Sequence, residues 1–287
     1  MKFTTPTPAT HRQTASRLKR AREGDLRDVF GWGRRFGPDE LDPILRTAMR
    51  DAGLLVEENS LCRSALRVST LDGRLHLHSA RGDAENAVFL GPDSYRFVRF
   101  LAALATESDP GQTVLDIGAG AGAGALAMAA RWPDAKVVAS DINPFALTLL
   151  AANAAHAGLE LEIVEGSGPQ AAPGVFDLIV ANPPFTVDEE SRTYRDGGGL
   201  LGSDLALDWV AAGLDRLRPG GRFALYAGSP IIEGRDLLRS ELEQLAAAAG
   251  ATLSHEEFDP DIFGTMLARD AYRAVDRIAA VAAVLAR

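Results

Sequence analysis

Cysteine is almost absent from this chain of 287 residues: Cys62 is its one thiol, so no disulfide can form within it. A lone Cys of this kind reads as a small buried apolar side chain rather than a reactive thiol. No run of ~18 apolar residues is present, and no short apolar segment of the secretory type opens the chain. Those two absences point to a cytoplasmic protein without a membrane span. Positive charge is also in deficit, with 30 Lys and Arg against 39 Asp and Glu and a net charge of -9. That balance argues against a generally basic nucleic-acid-binding surface, while leaving room for a local basic patch. Apolar residues are plentiful, at 46% of the total, which at this length suits one large domain or a domain with a smaller partner.

Residues 1–13 are polar and rich in Pro and Thr, and read as loose. Residues 14–28 carry Arg and Lys around Leu18, Ala21 and Leu26 in a helical pattern. The one basic cluster lies here: Arg12, Arg17, Lys19, Arg20, Arg22 and Arg27. It reads either as a solvated helix face or as a patch for an anionic partner such as RNA. A second helix is expected over 38–52, stopped by Gly53. The period then changes to two, with Leu66, Val68 and Thr70 on one strand, Asp72-Gly73 as a tight turn, and Leu75 and Leu77 on the next. His76 and His78 sit two apart on that strand; with no third ligand nearby they read as an exposed strand face rather than a metal site, and no metal is expected.

The break at Gly91-Pro92-Asp93-Ser94 marks a boundary near residue 90, with Asp93 or Ser94 capping a helix over 95–106. Beyond it, strands are expected at 113–117, 137–140, 161–165, 176–181 and 222–227, with helices over 124–132, 144–157, 203–217 and 234–249 between or after them. Residues 252–258 suit a strand. Alternation at this spacing is the signature of a parallel sheet wound with helices. The tail over 276–285 is ambiguous, since its alanines favour helix while Val275, Ile278, Val281 and Val284 suit a buried strand.

Three strand ends carry chemistry. The first runs into DIGAGAGAG, where Asp116 precedes Gly118, Gly120 and Gly122 and the backbone is free to approach a ligand closely. That arrangement suits a cofactor with an amino group. Gly120, Gly122 and Ala125 also satisfy a dinucleotide fingerprint, but a buried carboxylate at Asp116 would repel a pyrophosphate. The second strand ends at Asp141, where a carboxylate can accept both hydroxyls of a ribose or cap the following helix beside Asn143. Together these describe an adenosine-type pocket. The fourth strand stops at Asn182-Pro183-Pro184-Phe185, because two prolines cannot continue a ladder.

These residues resemble the class I S-adenosylmethionine-dependent methyltransferases, within the Asn-Pro-Pro-Phe/Tyr group that includes release-factor glutamine and ribosomal RNA guanine-N2 methyltransferases. The resemblance covers residues 91–287, through DIGAGAG, SDINPFAL, NPPF and LRPGGRFALY. It implies an α/β, Rossmann-like sheet of seven strands with the last inserted antiparallel, which decides 276–285 for strand. Residues 1–90 then form a smaller α+β domain that recognises substrate. The implied cofactor is S-adenosyl-L-methionine, held by Asp116, Gly118, Ala119, Gly120 and Gly122, by Asp141, Ile142 and Asn143, by Gly166 and Ser167 at the third strand end, and by Asn182. Many relatives carry Asp where Ser167 stands.

The same resemblance implies transfer of a methyl group to an amide or amine nitrogen. The Asn182 side-chain oxygen and the Pro183 carbonyl can accept both N–H bonds of an NH₂ group, and Phe185 can stack on a flat acceptor. The long Gly-rich stretch after Phe185, with Tyr194 and Arg195, reads as a substrate lid. The hairpin at Asp72-Gly73 departs from the all-helical N-terminal domain of the glutamine enzymes, so the acceptor stays open among protein, RNA and small molecule. A cofactor-binding module without turnover and an NAD-dependent oxidoreductase are the alternatives of other classes.

Overall fold

The computed structural model describes residues 1–17, 24–80, 86–105, 112–185 and 197–287. The N-terminal part begins with α1 (Pro8–Ala15) and α2 (Pro43–Asp51), followed by two hairpins. The first pairs β1 (Leu55–Glu58) with β2 (Leu61–Ser64), and the second pairs β3 (Leu66–Leu71) with β4 (Arg74–Ser79). Asp72 and Gly73 have φ of 50° and 78°, the doubly left-handed turn that an Asp-Gly pair supplies between strands.

Several expectations for this part need correction. Residues 1–13 are not loose: Phe3 is 3% exposed, with its ring edge-on to Trp32 at 5.1 Å, its N–H donated to the Thr70 hydroxyl and its carbonyl accepting the Thr70 N–H at 2.6 Å. Burial of one large aromatic outweighs a polar composition. The first helix starts at Pro8 under a Thr7 cap and ends at Ala15, and a helical turn follows at Arg27–Gly31; of the helix expected over 14–28, residues 18–23, with Lys19, Arg20 and Arg22, lie outside the described residues, while Arg12, Arg17 and Arg27 are exposed. The second helix begins at Pro43 rather than 38, because the Asp42 carboxylate accepts the N–H groups of Ile44 and Leu45 and Pro43 fits the first turn. His76 and His78 are buried, not exposed, each 2% accessible. His78 Nε2 meets the Ser69 hydroxyl at 2.9 Å, and burial holds both imidazoles in their neutral form, His76 down to about 4 and His78 to about 3. Among the described residues no group of three His, Cys, Asp or Glu is placed to hold a metal ion. Cys62 is buried and its thiol is pushed up by desolvation.

The larger part starts with α3 (Pro92–Leu104), whose cap is Gly91 rather than Asp93 or Ser94; the Ser94 hydroxyl accepts the Gly91 N–H. Strand and helix then alternate through β5 (Thr113–Ile117), α4 (Ala123–Arg131), β6 (Lys136–Asp141), α5 (Pro144–Ala157), β7 (Glu162–Glu165) and β8 (Phe176–Ala181). A short turn, α6 (Gly199–Gly202), leads into α7 (Asp204–Leu214), β9 (Leu217–Ile232), β10 (Arg235–Asp236), α8 (Leu237–Ala249), β11 (Thr252–Asp259) and β12 (Arg277–Ala286). Strand β9 takes in the expected turn at 218–221 as a bulge, with Leu217 opposite Phe176 and Arg222 opposite Leu178.

The seven main strands run in the order β11-β12-β9-β8-β5-β6-β7, with β12 antiparallel to both neighbours and β5 to β9 parallel. The alanine-rich tail is therefore a strand, as its Val and Ile residues allow. Leu178, Ile179 and Val180 point alternately to the two sheet faces and are all fully buried, so helices cover both. No helix is long and apolar enough to cross a membrane among the described residues.

Candidate cofactor and acceptor site

The chain enters the sheet at its middle. From β5 it winds outward through β6 to β7, then returns to lay β8 on the other side of β5. Such a reversal leaves a crevice at the carboxyl ends of the two central strands. The last paired residues there are Ile117 and Ala181, so the glycine turn after β5 and the Asn182-Pro183-Pro184-Phe185 corner after β8 start side by side.

On the β5 side, Gly118, Gly120 and Gly122 all adopt left-handed φ, at 65°, 55° and 89°. A methyl group added at Gly118 would come within 2.7 Å of the Trp209 ring, whereas one at Gly120 would meet only Val88, at 3.9 Å. Backbone at Gly120 therefore faces room that a ligand can fill. Ala119 is buried and its N–H bonds the Ser140 carbonyl at 2.9 Å. Asp116 lies beneath the turn at 1% exposure, with its Oδ2 accepting the Ala125 N–H at 2.6 Å. Burial pushes its carboxyl up to about 7, the Ala125 N–H opposes that rise, and Asp141 adds to it. This carboxylate takes the Ala125 N–H in the first turn of α4, one of the donors that a dinucleotide fingerprint would offer a pyrophosphate.

Asp141 ends β6 with one oxygen on the Gly120 N–H and the other on the Asn143 N–H, both at 2.8 Å. Burial raises its carboxyl above the usual range, against the pull of the Asn143, Gly120 and Ile142 N–H groups. Asn143 serves as helix cap, its oxygen on the Phe145 N–H, while its NH₂ donates to the Asn86 carbonyl. Ile142, next to Asp141, is 53% exposed, an apolar surface at the pocket mouth. Gly166 is tied to the end of β6 by its N–H on the Asp141 carbonyl at 3.0 Å, and Ser167 beside it is exposed.

On the β8 side, Asn182 is half-buried and Pro183 buried. Phe185 is 9% exposed within an aromatic group, edge-on to Phe263 at 5.5 Å and to Tyr226 at 6.5 Å. The stretch that follows returns to the same corner: a methyl group at Gly197 would come within 2.8 Å of the Pro184 carbonyl. Tyr194 and Arg195 lie outside the described residues.

Three neighbours escaped the sequence reading. Trp209 of α7 lies against both Gly118 and Gly168 and joins the loops after β5 and β7. Asp93 and Tyr226 form a buried hydrogen bond beside Phe185. Residues 86–90 run beside the glycine turn, with the Asn86 carbonyl on Asn143 and Val88 facing Gly120. A Trp, an Asp and a short loop carry no periodic signal, so only their meeting in space reveals them.

The sequence profile of the methyltransferase small domain family matches residues 98–252, more than half of the chain. The chain belongs to that family. A release factor glutamine methyltransferase from Deinococcus radiodurans is 43% identical over 122 residues, covering 39% of this chain and 44% of that protein. A ribosomal RNA small subunit methyltransferase C from Pseudomonas entomophila is 35% identical over 130 residues, covering 44% of this chain and 36% of that protein. The chain thus matches less than half the length of these two curated relatives. Among solved structures, the T. thermophilus 16S rRNA N2 G1207 methyltransferase in complex with AdoMet and guanosine aligns with a TM-score of 0.51 at 19% identity, over 92% of this chain and 68% of that one. Trm5b from Pyrococcus abyssi aligns with a TM-score of 0.55 at 15% identity, over 80% of this chain and 61% of that one. These likenesses establish the class I methyltransferase fold.

Proposed function

We propose that this protein transfers a methyl group from S-adenosylmethionine to a nitrogen that carries two hydrogens. The reading rests on the pairing of Ile117 with Ala181, which sets a glycine turn suited to an adenosine cofactor beside Asn182 and Pro183. When bound, that cofactor supplies an electrophilic methyl group on a sulfonium sulfur. The room over Gly120 and the carboxylate of Asp141 fit such a group. The two short bonds use different Asp141 oxygens, from the Gly120 and Asn143 N–H groups, which leaves acceptor capacity for a ribose hydroxyl. Ile142 offers apolar surface to the adenine, with Gly166 and Ser167 along its edge. Gly118, Ala119 and Gly120 present backbone to the amino-acid end, and its ammonium would draw the raised Asp116 carboxyl toward the ionised form that pairs with it.

Opposite this, the Asn182 oxygen and the Pro183 carbonyl accept the two N–H bonds of the acceptor. That holds the nitrogen lone pair toward the methyl; as the N–C bond forms, the sulfonium C–S bond would break, S-adenosylhomocysteine would leave and the nitrogen would give up one proton to solvent, so that positioning lowers the barrier without a strong base. Phe185 bounds the acceptor slot with aromatic surface, and Tyr194 and Arg195 belong to the loop that covers it. The relatives named above act on a glutamine amide and on ribosomal RNA. Both present a planar NH₂, and a group of that shape is the acceptor we assign. The test is Asn182→Ala in the full chain: turnover with labelled methyl donor is lost while S-adenosylhomocysteine binds as in the wild type. An active variant removes Asn182 from the mechanism, and label followed into the protein, RNA or metabolite fraction of an extract identifies the acceptor.

A further inference from the structure

Asn153 lies in α5, buried at 2% exposure, and uses its whole side-chain amide. Its oxygen accepts the Leu77 N–H at 2.7 Å, and its nitrogen donates to the Leu77 carbonyl at 3.1 Å and to the Ala121 carbonyl at 2.9 Å. Leu77 belongs to β4 of the N-terminal hairpin, so the amide pairs with both backbone groups of that residue as a neighbouring strand would. Its second N–H then reaches across to Ala121, which stands between the left-handed Gly120 and Gly122.

The contact is reinforced from the hairpin itself. Leu66 and Val88 pack with Ala121, Ala146 and Leu149 in one buried group, and both oxygens of Asp72 take the Arg131 guanidinium at 2.7 and 3.1 Å. A peptide flanked by two glycines has many accessible conformations when nothing holds it, and each must be given up when a ligand is bound. Donors fixed in the surrounding structure remove that freedom beforehand, and preorganisation of this kind appears as affinity.

We infer that Asn153 is a positioning residue for the cofactor, fixing the Ala121 carbonyl, and that it makes the N-terminal hairpin part of the cofactor half of the site. The hairpin then acts on the methyl-donor side rather than serving acceptor recognition alone. By reciprocity, a partner that binds better when the hairpin holds Ala121 in place would raise cofactor affinity, and the cofactor would raise that partner's affinity by the same factor. The inference depends on the glycine turn being the cofactor site.

The experiment titrates S-adenosylhomocysteine into full-length protein by calorimetry and records a thermal melt of each sample. Asn153→Leu removes all three hydrogen bonds at nearly constant volume. Asn153→Asp keeps the acceptor for Leu77 but loses the donors. In Asn153→Leu and Asn153→Asp the Kd should rise about tenfold or more, as expected for one or two lost hydrogen bonds. A variant whose melting temperature falls while its Kd stays within about twofold of wild type overturns the inference, because a purely structural residue behaves that way. Should Asn153→Leu fail to fold, unchanged affinity in Asn153→Asp has the same force. A wild-type protein that binds nothing overturns instead the assignment of the glycine turn.

Discussion

Asp141 and Gly120 are joined by a 2.8 Å hydrogen bond that locks the turn after β5 onto the end of β6. The other Asp141 oxygen accepts the Asn143 N–H at the same distance, so the carboxylate fixes both walls of the pocket before any ligand arrives. Asp141→Asn cannot do this: one oxygen remains, and the amide NH₂ must face a backbone N–H. We expect a stability loss of about 1–3 kcal/mol, the usual cost of a stranded buried donor. Denaturant titration measures it, and calorimetry with S-adenosylhomocysteine should find weakened binding in the same variant. An Asp141→Asn protein that binds as well as wild type would take Asp141 out of the ribose site.

Asp116 leads to a prediction about pH. Burial raises its carboxyl to about 7 from an ordinary 3.8, so the native state keeps this proton longer than the unfolded chain does. The stability it contributes is complete below about 3.8 and is lost as pH rises through about 7. Asp116→Asn still offers an oxygen to the Ala125 N–H but cannot ionise. Its unfolding free energy should therefore fall less than that of wild type across that window, the two curves converging on the alkaline side by on the order of a few kcal/mol. The slope, rather than the offset, is diagnostic, because the buried amide NH₂ adds a constant penalty. Parallel curves would mean that Asp116 titrates normally.

Much of this architecture was legible in the sequence, and the reasons are local. Asn143-Pro144 and Gly158 bracket α5 because capping and the left-handed stop are decided by neighbouring residues. The Asp72-Gly73 turn and the strand ending at Asn182 follow from the same kind of short-range chemistry. What failed was tertiary. Nothing adjacent to Phe3 says that it will be buried against Trp32, and nothing in the alternation of Leu75 and Leu77 says that His76 and His78 will be covered by other segments of the chain. In the site, the strand ends were readable as chemistry, but the contacts of Trp209, Tyr226 and Asn153 arise between segments far apart in the chain. No periodicity encodes such meetings.

Tyr226 supplies the last prediction. Its hydroxyl donates to Asp93 at 3.0 Å while its ring meets Phe185 edge-on, so one residue joins a buried carboxyl to the acceptor corner. Burial already raises the Asp93 carboxyl, with the Tyr226 hydroxyl and the Arg96 guanidinium, 3.4 Å away, opposing the rise. Tyr226→Phe keeps the ring and deletes the donor, so the carboxyl should move further up. A folded-state pKa raised in this way disfavours the ionised native protein, and the added cost appears only as pH climbs past it. We therefore expect little difference from wild type on the acid side, below the ordinary carboxyl value of 3.8, and a deficit of about 1–3 kcal/mol toward neutral pH. Chemical denaturation at several pH values reads this directly. Because the aromatic contact with Phe185 survives, the acceptor KM should stay near wild type, whereas Phe185→Ala should raise it. A deficit equal at every pH would show that the hydroxyl serves packing and not the Asp93 charge.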